Sequence, residues 1–446
     1  MKKTYLLLFF FYIYFSGALN AQEGFHFLNA NKAKQRISFK LINNLIVIPL
    51  EINGEKLSFI LDSGVSKTIL LNISQNDSLG LNNVERVNLR GLGEGVSVEA
   101  LLSKKNKLSL KNIESNDETI YVILKDHFDL SGKMGITIHG IIGYNLLKKF
   151  IVKINYKTKK IDFYNPKLFK KINCKKCETF PLQFYRRKPY VDAKIQLDTI
   201  GNKLTDVKLL IDSGGSDSIW LFENSKEIIK TPHLFFKDIL GEGLSGAIYG
   251  NRSRIPKIKL KSFEIKGPTV SFLDSLSTHN ARSFKERNGS IGAGILKKFI
   301  VWFDYPNSKL TLKKNGSFSK GFNYNMSGLD VVYNGKKLIK EKDYQNYSIN
   351  NNQNGSSNNT INFITSYSYR FKPSFKIKNV VAGSPADKVG LLIGDIILKI
   401  NYKAAHNYTL SRIMHMFQEK ENKKIKMTVD RNGEKMTFEF RLVKKI

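Results

Sequence analysis

Cysteine is scarce in this sequence, with only 2 residues among 446. This scarcity excludes a small scaffold held together by several disulfides. Cys174 and Cys177 form a single C-x-x-C motif with no second pair and no neighbouring histidine, so a zinc site lacks ligands. We expect a local disulfide between them, as suits an oxidising compartment, rather than a redox role.

Long apolar runs are also scarce. The one candidate, residues 5–15, is shorter than the ~20 residues that cross a bilayer. It lies between Lys2 and Lys3 on one side and the small residues Ala18 and Ala21 on the other. This order predicts a signal peptide over residues 1–21, with an uncleaved membrane anchor as the alternative. We therefore expect an exported chain, periplasmic or secreted, whose mature part has no transmembrane segment.

Acidic residues are outnumbered, 38 against 72 basic ones, which gives a formal net charge of +34. Such a charge can draw a protein toward anionic surfaces or acidic substrates. Nucleic-acid binding would call for basic patches interleaved with exposed aromatics. Because the lysines are scattered along predicted strands and loops, we expect a generally lysine-rich surface and no nucleic-acid partner.

The sequence is rich in apolar, strand-forming residues. The hydrophobic fraction is 41%, with 30 Phe and 19 Tyr, and long helical periodicity is scarce. This composition predicts a substantial core and an all-β fold.

An internal repeat organises most of the chain. Residues 59–64 (FILDSG) return as residues 209–214 (LLIDSG), an offset of 150 (212 − 62). Residues 140–152 are echoed by residues 289–301 at an offset of 149 (292 − 143). A glycine-rich stretch begins 29 residues after each aspartate, at Gly91 and at Gly241 (91 − 62 and 241 − 212). These matched features predict a duplicated lobe.

The repeated Asp-Ser-Gly motif suits the hydrolysis of a peptide bond. Two carboxyl groups in contact share a proton, because two adjacent negative charges repel each other and both groups do not ionise together. One can then act as a base on water while the other donates a hydrogen bond to the carbonyl oxygen. Glycine lets the backbone turn tightly beside the carboxylate, and a serine hydroxyl can hydrogen-bond across to the other lobe.

On these motifs the sequence resembles the retropepsin-like and pepsin-like aspartic peptidases over about residues 37–315. The resemblance implies that Asp62 and Asp212 are the catalytic pair. It also implies four residues that support the catalytic pair: Ser63, Gly64, Ser213 and Gly214. It further implies two flaps, which contain Gly91, Gly93, Gly241 and Gly243. Val65, Gly215 and Ser290 depart from the family pattern, which bears on fine geometry but spares both carboxylates.

The alternative is a non-catalytic scaffold that binds peptides and carries an inactive dyad. The seven histidines form no metal-ligand spacing and no Ser/His/Asp order is evident. We therefore expect no metal and no cofactor.

The composition changes after about residue 318. Residues 383–386 (GSPA), with Gly390, Leu391, Gly394 and Asp395, resemble the PDZ domains of exported bacterial proteases. The resemblance implies that Ser327, Gly328 and Leu329 receive the carboxylate of a peptide C-terminus, beside a strand over 330–333 and a helix over 408–419. The alternative is a degenerate domain that only packs against the peptidase.

The predicted fold is all-β: a two-lobed aspartic peptidase fold, with duplicated β-barrel-like lobes, followed by a small α+β PDZ domain. We place the lobes at residues 22–167 and 168–318, and the PDZ domain at 319–446, with a low-complexity insert near 341–366. The expected function is that of an exported aspartic endopeptidase acting on polypeptide substrates.

Overall fold

The computed structural model describes residues 24–71, 79–89, 98–124, 129–172, 174–243, 246–343, 347–350, 360–363 and 366–446. The predicted signal peptide, the flap glycines Gly91 and Gly93, and parts of the predicted insert lie outside these ranges. Among the described residues, no helix is long and apolar enough to cross a membrane.

Strands make up most of the first lobe. They are β1 (His26–Phe27), β2 (Lys34–Ser38), β3 (Lys40–Ile42), β4 (Leu45–Ile52), β5 (Glu55–Leu61), β6 (Thr68–Leu70), β7 (Glu85–Leu89), β8 (Val98–Leu110), β9 (Ile113–Ile123), β10 (Gly140–Ile142), β11 (Ile151–Asn155) and β12 (Lys160–Tyr164). Two short helices, α1 (Leu130–Met134) and α2 (Tyr144–Leu147), flank β10. Nine strands form one sheet in the order β1-β9-β6-β10-β5-β4-β8-β7, with β3 on β4.

The second lobe repeats this plan. Its strands are β13 (Cys177–Pro181), β14 (Gln183–Tyr185), β15 (Lys188–Gln196), β16 (Thr205–Ile211), β17 (Ile219–Phe222), β18 (Phe236–Gly243), β19 (Gly246–Arg254), β20 (Lys257–Leu260), β21 (Phe263–Lys266), β22 (Thr269–Leu273), β23 (Arg287–Ile291), β24 (Phe299–Asp304) and β25 (Lys309–Lys314). Its helices are α3 (Ser275–Thr278), a 3-10 turn (His279–Ser283) and α4 (Ala293–Leu296). A ten-stranded sheet runs β18-β19-β22-β17-β23-β16-β15-β20-β21, with β14 on β15.

A third sheet joins the two lobes. It has six strands in the order β13-β25-β24-β11-β12-β2. At its centre β11 pairs antiparallel with β24, with Ile154 opposite Val301. Strands β11 and β24 begin at the end of the second repeated segment of each lobe. Equivalent strands of the two lobes are therefore hydrogen-bonded to each other at the centre of this sheet.

Local sequence signals account for several turns. Asn53 and Gly54 adopt φ values of +48° and +98° between β4 and β5, as the predicted Asn-Gly hairpin requires. The Asn432 and Gly433 turn near the C-terminus does the same, at +54° and +91°. Cys174 and Cys177 form a disulfide ahead of β13, as expected from their spacing.

The C-terminal unit is a smaller sheet with its own core. It contains β26 (Leu329–Asp343), β29 (Ser366–Val380), β30 (Ile396–Ile400), β31 (Lys403–Ala404), β32 (Lys424–Arg431) and β33 (Glu434–Arg441), with α5 (Pro385–Lys388), a 3-10 turn (Ala405–Asn407) and α6 (Leu410–Met416). The sheet order is β26-β29-β30-β32-β33, with β31 on β30. A separate pair, β27 (Tyr347–Asn350) and β28 (Thr360–Phe363), lies in the predicted insert. Two core clusters, one spanning both lobes and one in this unit, confirm an all-β architecture with a small α+β unit.

Candidate active site

Each candidate aspartate follows directly on a buried strand. Asp62 comes after β5 and Asp212 after β16, and the backbone N–H of each donates to an isoleucine carbonyl, Ile142 and Ile291, at 2.9 Å. Those isoleucines end β10 and β23, which pair parallel with β5 and β16. The two repeats therefore fix the two aspartates in the same local setting.

The glycines that follow these isoleucines are required by close backbone approach. A methyl group on Gly143 would lie 1.9 Å from the carbonyl oxygen of Asp62. A methyl group on Gly292 would lie 2.3 Å from the carbonyl oxygen of Asp217. Both contacts are far inside van der Waals distance, so only glycine fits behind each Asp-Ser-Gly loop.

The two serines tie the loops together across the lobe junction. The N–H of Ser63 donates to Ser213 Oγ at 2.9 Å, and the N–H of Ser213 donates to Ser63 Oγ at 3.0 Å. Each hydroxyl in turn donates to the carbonyl oxygen of the other lobe's strand, Ile211 at 2.7 Å and Leu61 at 2.9 Å. Both serines are at most 1% exposed, so this reciprocal set of four hydrogen bonds holds the carboxylates in register.

The carboxyl groups of Asp62 and Asp212 lie beside each other, since a methyl group on Gly64 would be 3.0 Å from Cγ of Asp212 and 3.2 Å from Oδ1 of Asp62. Burial and the neighbouring charge of Asp212 together raise the pKa of Asp62 to about 8, against the opposing effect of the Gly64 N–H. A carboxyl group with this pKa keeps its proton at neutral pH. The pair is therefore built to hold one proton between two carboxylates.

The backbone gives Asp212 one more hydrogen-bond donor than Asp62. Asp62 Oδ1 accepts one N–H, from Gly64 at 2.7 Å. Asp212 Oδ1 accepts two, from Gly214 at 3.0 Å and Gly215 at 2.9 Å. The extra donor is Gly215, which stands where the first lobe has Val65, so this departure from the family pattern makes the two carboxyl environments different.

Several residues near the dyad were not predicted. Arg287 is buried, donates to Ser290 Oγ at 2.8 Å, and lies 4.8 Å from the ring centre of Phe222. This hydrogen bond explains why a polar Ser290 is accommodated where an apolar residue was expected. Lys188, at the start of β15, and Tyr305 are within electrostatic reach of both carboxylates. The repeat does not single out these residues, since their neighbours come from distant segments.

Salt bridges connect the hairpin of the predicted second flap to the loop that carries Asp212. Gly241 and Gly243, predicted to lie in a flap, are at the end of β18 in the β18–β19 hairpin. Arg252 on β19 contacts Asp238 at 2.7 Å and Asp217 at 3.0 Å. Asp217 also accepts the indole N–H of Trp220 at 2.8 Å. Since Asp217 lies five residues after Asp212, the base of the hairpin and the dyad loop form one connected unit.

In the loop of the C-terminal unit that is predicted to bind a peptide carboxylate, backbone N–H groups are hydrogen-bonded to side chains of the same loop. The N–H of Ser327 donates to Asn325 Oδ1 at 3.0 Å, and the N–H of Leu329 donates to Ser327 Oγ at 3.0 Å. Gly328 has a φ of +82°, and a methyl group there would lie 2.2 Å from Ser384 Oγ. Two of the three N–H groups assigned to a peptide carboxylate are thus already bonded within the loop.

A segment of the first lobe lies along the predicted peptide groove. Helix α1 packs against both walls, β26 and α6. A methyl group on Gly135, which ends α1, would lie 3.0 Å from Cβ of Leu410 at the start of α6. Asp129, ahead of α1, pairs with Lys378 on β29 at 3.4 Å. A peptide entering this groove would meet α1.

Comparison with known proteins agrees with this architecture. The family model described as aspartyl protease matches residues 48–146, and the model described as PDZ domain matches residues 376–431. The crystal structure of aspartic proteinase from Irpex lacteus superposes with a TM-score of 0.44 at 11% identity, covering 65% of this chain and 99% of that chain. No curated protein matches the chain.

The two family-model matches indicate the class of each matched domain. The chain combines an aspartyl protease-like domain with a PDZ domain. The resemblance and the fold class predicted from the sequence are both confirmed. The individual site residues are not covered by these comparisons, and their roles stay predictions.

Proposed function

We propose that this protein is an aspartic endopeptidase in which Asp62 and Asp212 activate a water molecule. The observation that carries the proposal is the pair of adjacent carboxyl groups, one from each lobe, held by reciprocal serine hydrogen bonds. Two carboxylates sharing one proton are the pattern expected for acid–base hydrolysis of a peptide bond.

The asymmetry of the dyad assigns a role to each aspartate. Ionised Asp212, stabilised by two backbone N–H groups, accepts a proton from the attacking water. Protonated Asp62 donates a hydrogen bond to the carbonyl oxygen of the scissile bond, where negative charge develops. The proton taken by Asp212 then goes to the leaving amine, which restores the starting state of the pair.

This assignment predicts the pH dependence of cleavage. Activity needs Asp62 protonated, so it should fall as pH rises through the raised pKa of Asp62. It needs one ionised carboxylate, so it should also fall in strong acid. A cleavage rate that does not change from pH 4 to 10 would contradict the shared proton.

The direct test uses residues 22–446 with Asp62→Asn and Asp212→Asn as matched controls. Each protein is incubated with a peptide mixture from acid to alkaline pH, and products are identified by mass spectrometry. We expect each substitution to lower cleavage by about 10⁴-fold, near the upper range for loss of acid–base catalysis. Binding without cleavage by a folded wild-type protein would favour the peptide-binding scaffold instead.

For the PDZ domain we propose binding of a peptide or substrate terminus at Ser327, Gly328 and Leu329, in competition with α1. Fluorescence anisotropy should show that a peptide with a free C-terminal carboxylate binds and its C-terminal amide does not. Equal binding of the two peptides would argue for a domain that only packs against the peptidase.

We propose export to the periplasm or beyond. The charged start and apolar run of residues 1–21 support it, and the Cys174–Cys177 disulfide suits an oxidising compartment. Fusing residues 1–30 to a reporter enzyme that is active only outside the cytoplasm tests this, since an inactive fusion would contradict export.

A further inference from the structure

Strands β26 and β29 continue past the PDZ sheet as a two-stranded ribbon, in which residues 336–343 pair with residues 366–373. The ribbon begins at a bulge between Tyr333 and Lys336, where Gly335 has a φ of +72°. A bulge bends a strand and increases its twist. Eight residues of strand span about 26 Å, so the ribbon is a sizeable surface element beyond the domain core.

The two faces of the ribbon differ sharply in chemistry. Residues directly opposite each other in a strand pair share a face, and the register places Leu338 opposite Phe371, Lys340 opposite Tyr369 and Lys342 opposite Tyr367. We call this the aromatic face; its members are Lys336, Leu338, Lys340, Lys342, Tyr367, Tyr369, Phe371 and Pro373. The opposite face carries Lys337, Ile339, Glu341, Ser368, Arg370 and Lys372. Glu341 therefore lies on the opposite face, and the charged members of the aromatic face are all basic.

The aromatic face is the more exposed one. Phe371 is 69% exposed, Tyr369 62%, Tyr367 53% and Leu338 51%. On the opposite face Ile339 and Glu341 are half-buried, and Glu341 pairs with Lys372 at 3.2 Å. Four large apolar side chains in one exposed row are unusual on a soluble surface and mark an interaction site.

The chemistry of this face fits a lipid surface. Aromatic rings with polar tips favour the headgroup level of a bilayer, and Lys stems can lie along apolar surface while the ammonium stays in water. Lys340 also belongs to this row of side chains through a cation–π contact, with Nζ 4.0 Å from the ring centre of Tyr367. Lys336 and Lys340 complement anionic headgroups, and the net charge of +34 acts in the same direction.

Single-stranded nucleic acid is the other polyanion that basic and aromatic side chains can bind. Such binders track the strand along a positively charged groove, in which bases stack on the rings. This ribbon offers an open face rather than a groove, and Leu338 and Pro373 have no π-face for stacking. The surplus of hydrocarbon favours a bilayer.

We propose that the aromatic face of the β26–β29 ribbon docks the protein on the surface of an anionic lipid bilayer. The ribbon lies flat in the headgroup region, with Tyr367, Tyr369, Phe371 and Leu338 inserted and with Lys336 and Lys340 against the phosphates. This site is independent of the dyad, so its test does not depend on peptidase activity.

The test is co-sedimentation of residues 22–446, which include every described residue, with vesicles of phosphatidylcholine alone or with phosphatidylglycerol. A triple variant, Lys336→Ala with Lys340→Ala and Lys342→Ala, should bind the anionic vesicles about 100-fold more weakly. The matched control, Lys337→Ala with Arg370→Ala and Lys372→Ala, removes the same charge from the opposite face and should bind like the wild type. Tyr369→Ser with Phe371→Ser should also weaken binding, although it changes no charge.

A spectroscopic readout separates insertion from loose attraction. In the Tyr369→Trp variant, brominated lipid should quench the fluorescence of the new tryptophan. In the Arg370→Trp variant, on the opposite face, it should not. Equal losses in both triple variants would overturn the proposal, because they would show attraction by overall charge. Failure of the wild type to bind anionic vesicles, or binding of the aromatic face to single-stranded DNA in preference to vesicles, would also overturn it.

Discussion

The two lobes present equivalent aspartates on equivalent loops, yet the loops are anchored differently. In the second lobe, Asp217 links the dyad loop to the flap hairpin through Arg252. The equivalent residue of the first lobe is Lys67, five residues after its aspartate (67 − 62 and 217 − 212). Lys67 is exposed and lies 4.1 Å from the ring centre of Tyr121. One loop is thus fixed by a half-buried ion network and the other by a surface contact.

The connection before the second repeated segment differs as well. Between β9 and β10 the first lobe carries α1, which packs on the PDZ unit, whereas the second lobe carries α3 and a 3-10 turn between β22 and β23. Duplication therefore preserved the geometry of the paired Asp-Ser-Gly loops, while the surroundings gave each aspartate its own packing and electrostatic environment.

The largest difference between the lobes should appear in stability. Arg252→Met leaves Asp217 and Asp238 facing each other without a cation, and breaking such a partly buried pair costs about 3–5 kcal/mol. Lys67→Met removes only a surface cation–π contact, worth about 0.5–1 kcal/mol. Urea denaturation at neutral pH measures both. Equal losses would show that the ion network does not anchor the second loop.

The next test compares the two glycines beside the dyad. A methyl group on Gly214 would lie 2.2 Å from Cγ of Asp62, whereas one on Gly64 would lie 3.0 Å from Cγ of Asp212. Gly214→Ala must displace a reacting carboxyl group, and a displacement of about 1 Å costs about 100-fold in rate. Gly64→Ala needs a shift of a few tenths of an ångström and should cost about 10-fold or less. Cleavage rates of the two folded variants decide this, and the reverse order would contradict the geometry.

The protonation of Asp62 should be visible in the pH dependence of stability. Its pKa is about 8 in the folded state and about 3.9 in an unfolded chain. Between these values the folded state holds a proton that the unfolded state has released, so stability falls as pH rises. Asp62→Asn removes this loss, and its stability relative to the wild type should increase by about 4 kcal/mol from pH 4.5 to 7.5.

The control for that measurement is Asp206→Asn, whose side chain is 72% exposed and pairs with Lys194. Because solvent screens this pair, its relative stability should stay nearly constant over the same range. A difference between wild type and Asp62→Asn that stays constant with pH would mean that Asp62 is already ionised at pH 4.5.

Features that the sequence predicts are those determined by neighbouring residues or by the repeat. The Asn53–Gly54 hairpin needs only local turn chemistry, and the setting of Asp212 follows from that of Asp62 through the duplicated segments. Predicted features that depend on fewer residues are less exact: the helix expected over residues 408–419 extends only over Leu410–Met416.

Features set by distant side chains were not predictable in this way. The Arg252 network joins residues 35 and 14 positions apart, and the packing of α1 on α6 brings together Gly135 and Leu410. The aromatic face was missed for another reason. In the sequence the lysines are scattered along the chain. The aromatic and polar residues that alternate over 366–373 form one face with the lysines of β26 only once the strand partner and its register are known.

The smallest predicted difference concerns two equivalent tyrosines, Tyr156 and Tyr305 (305 − 156 = 149). Both are buried with a hydroxyl group that has no hydrogen-bond partner among the described residues. Because an unpaired buried hydroxyl is unfavourable, Tyr156→Phe and Tyr305→Phe should each stabilise the fold by about 1 kcal/mol in thermal denaturation.

Burial raises the pKa of both tyrosines, but only that of Tyr305 is also raised by Asp62 and Asp212. The hydroxyl dipole of Tyr305 is therefore felt by the dyad, and Tyr305→Phe alone should shift the alkaline limb of the cleavage profile. A shift in neither variant would place Tyr305 outside the electrostatic field of the dyad, and a shift in both would point to a change in packing common to the two lobes.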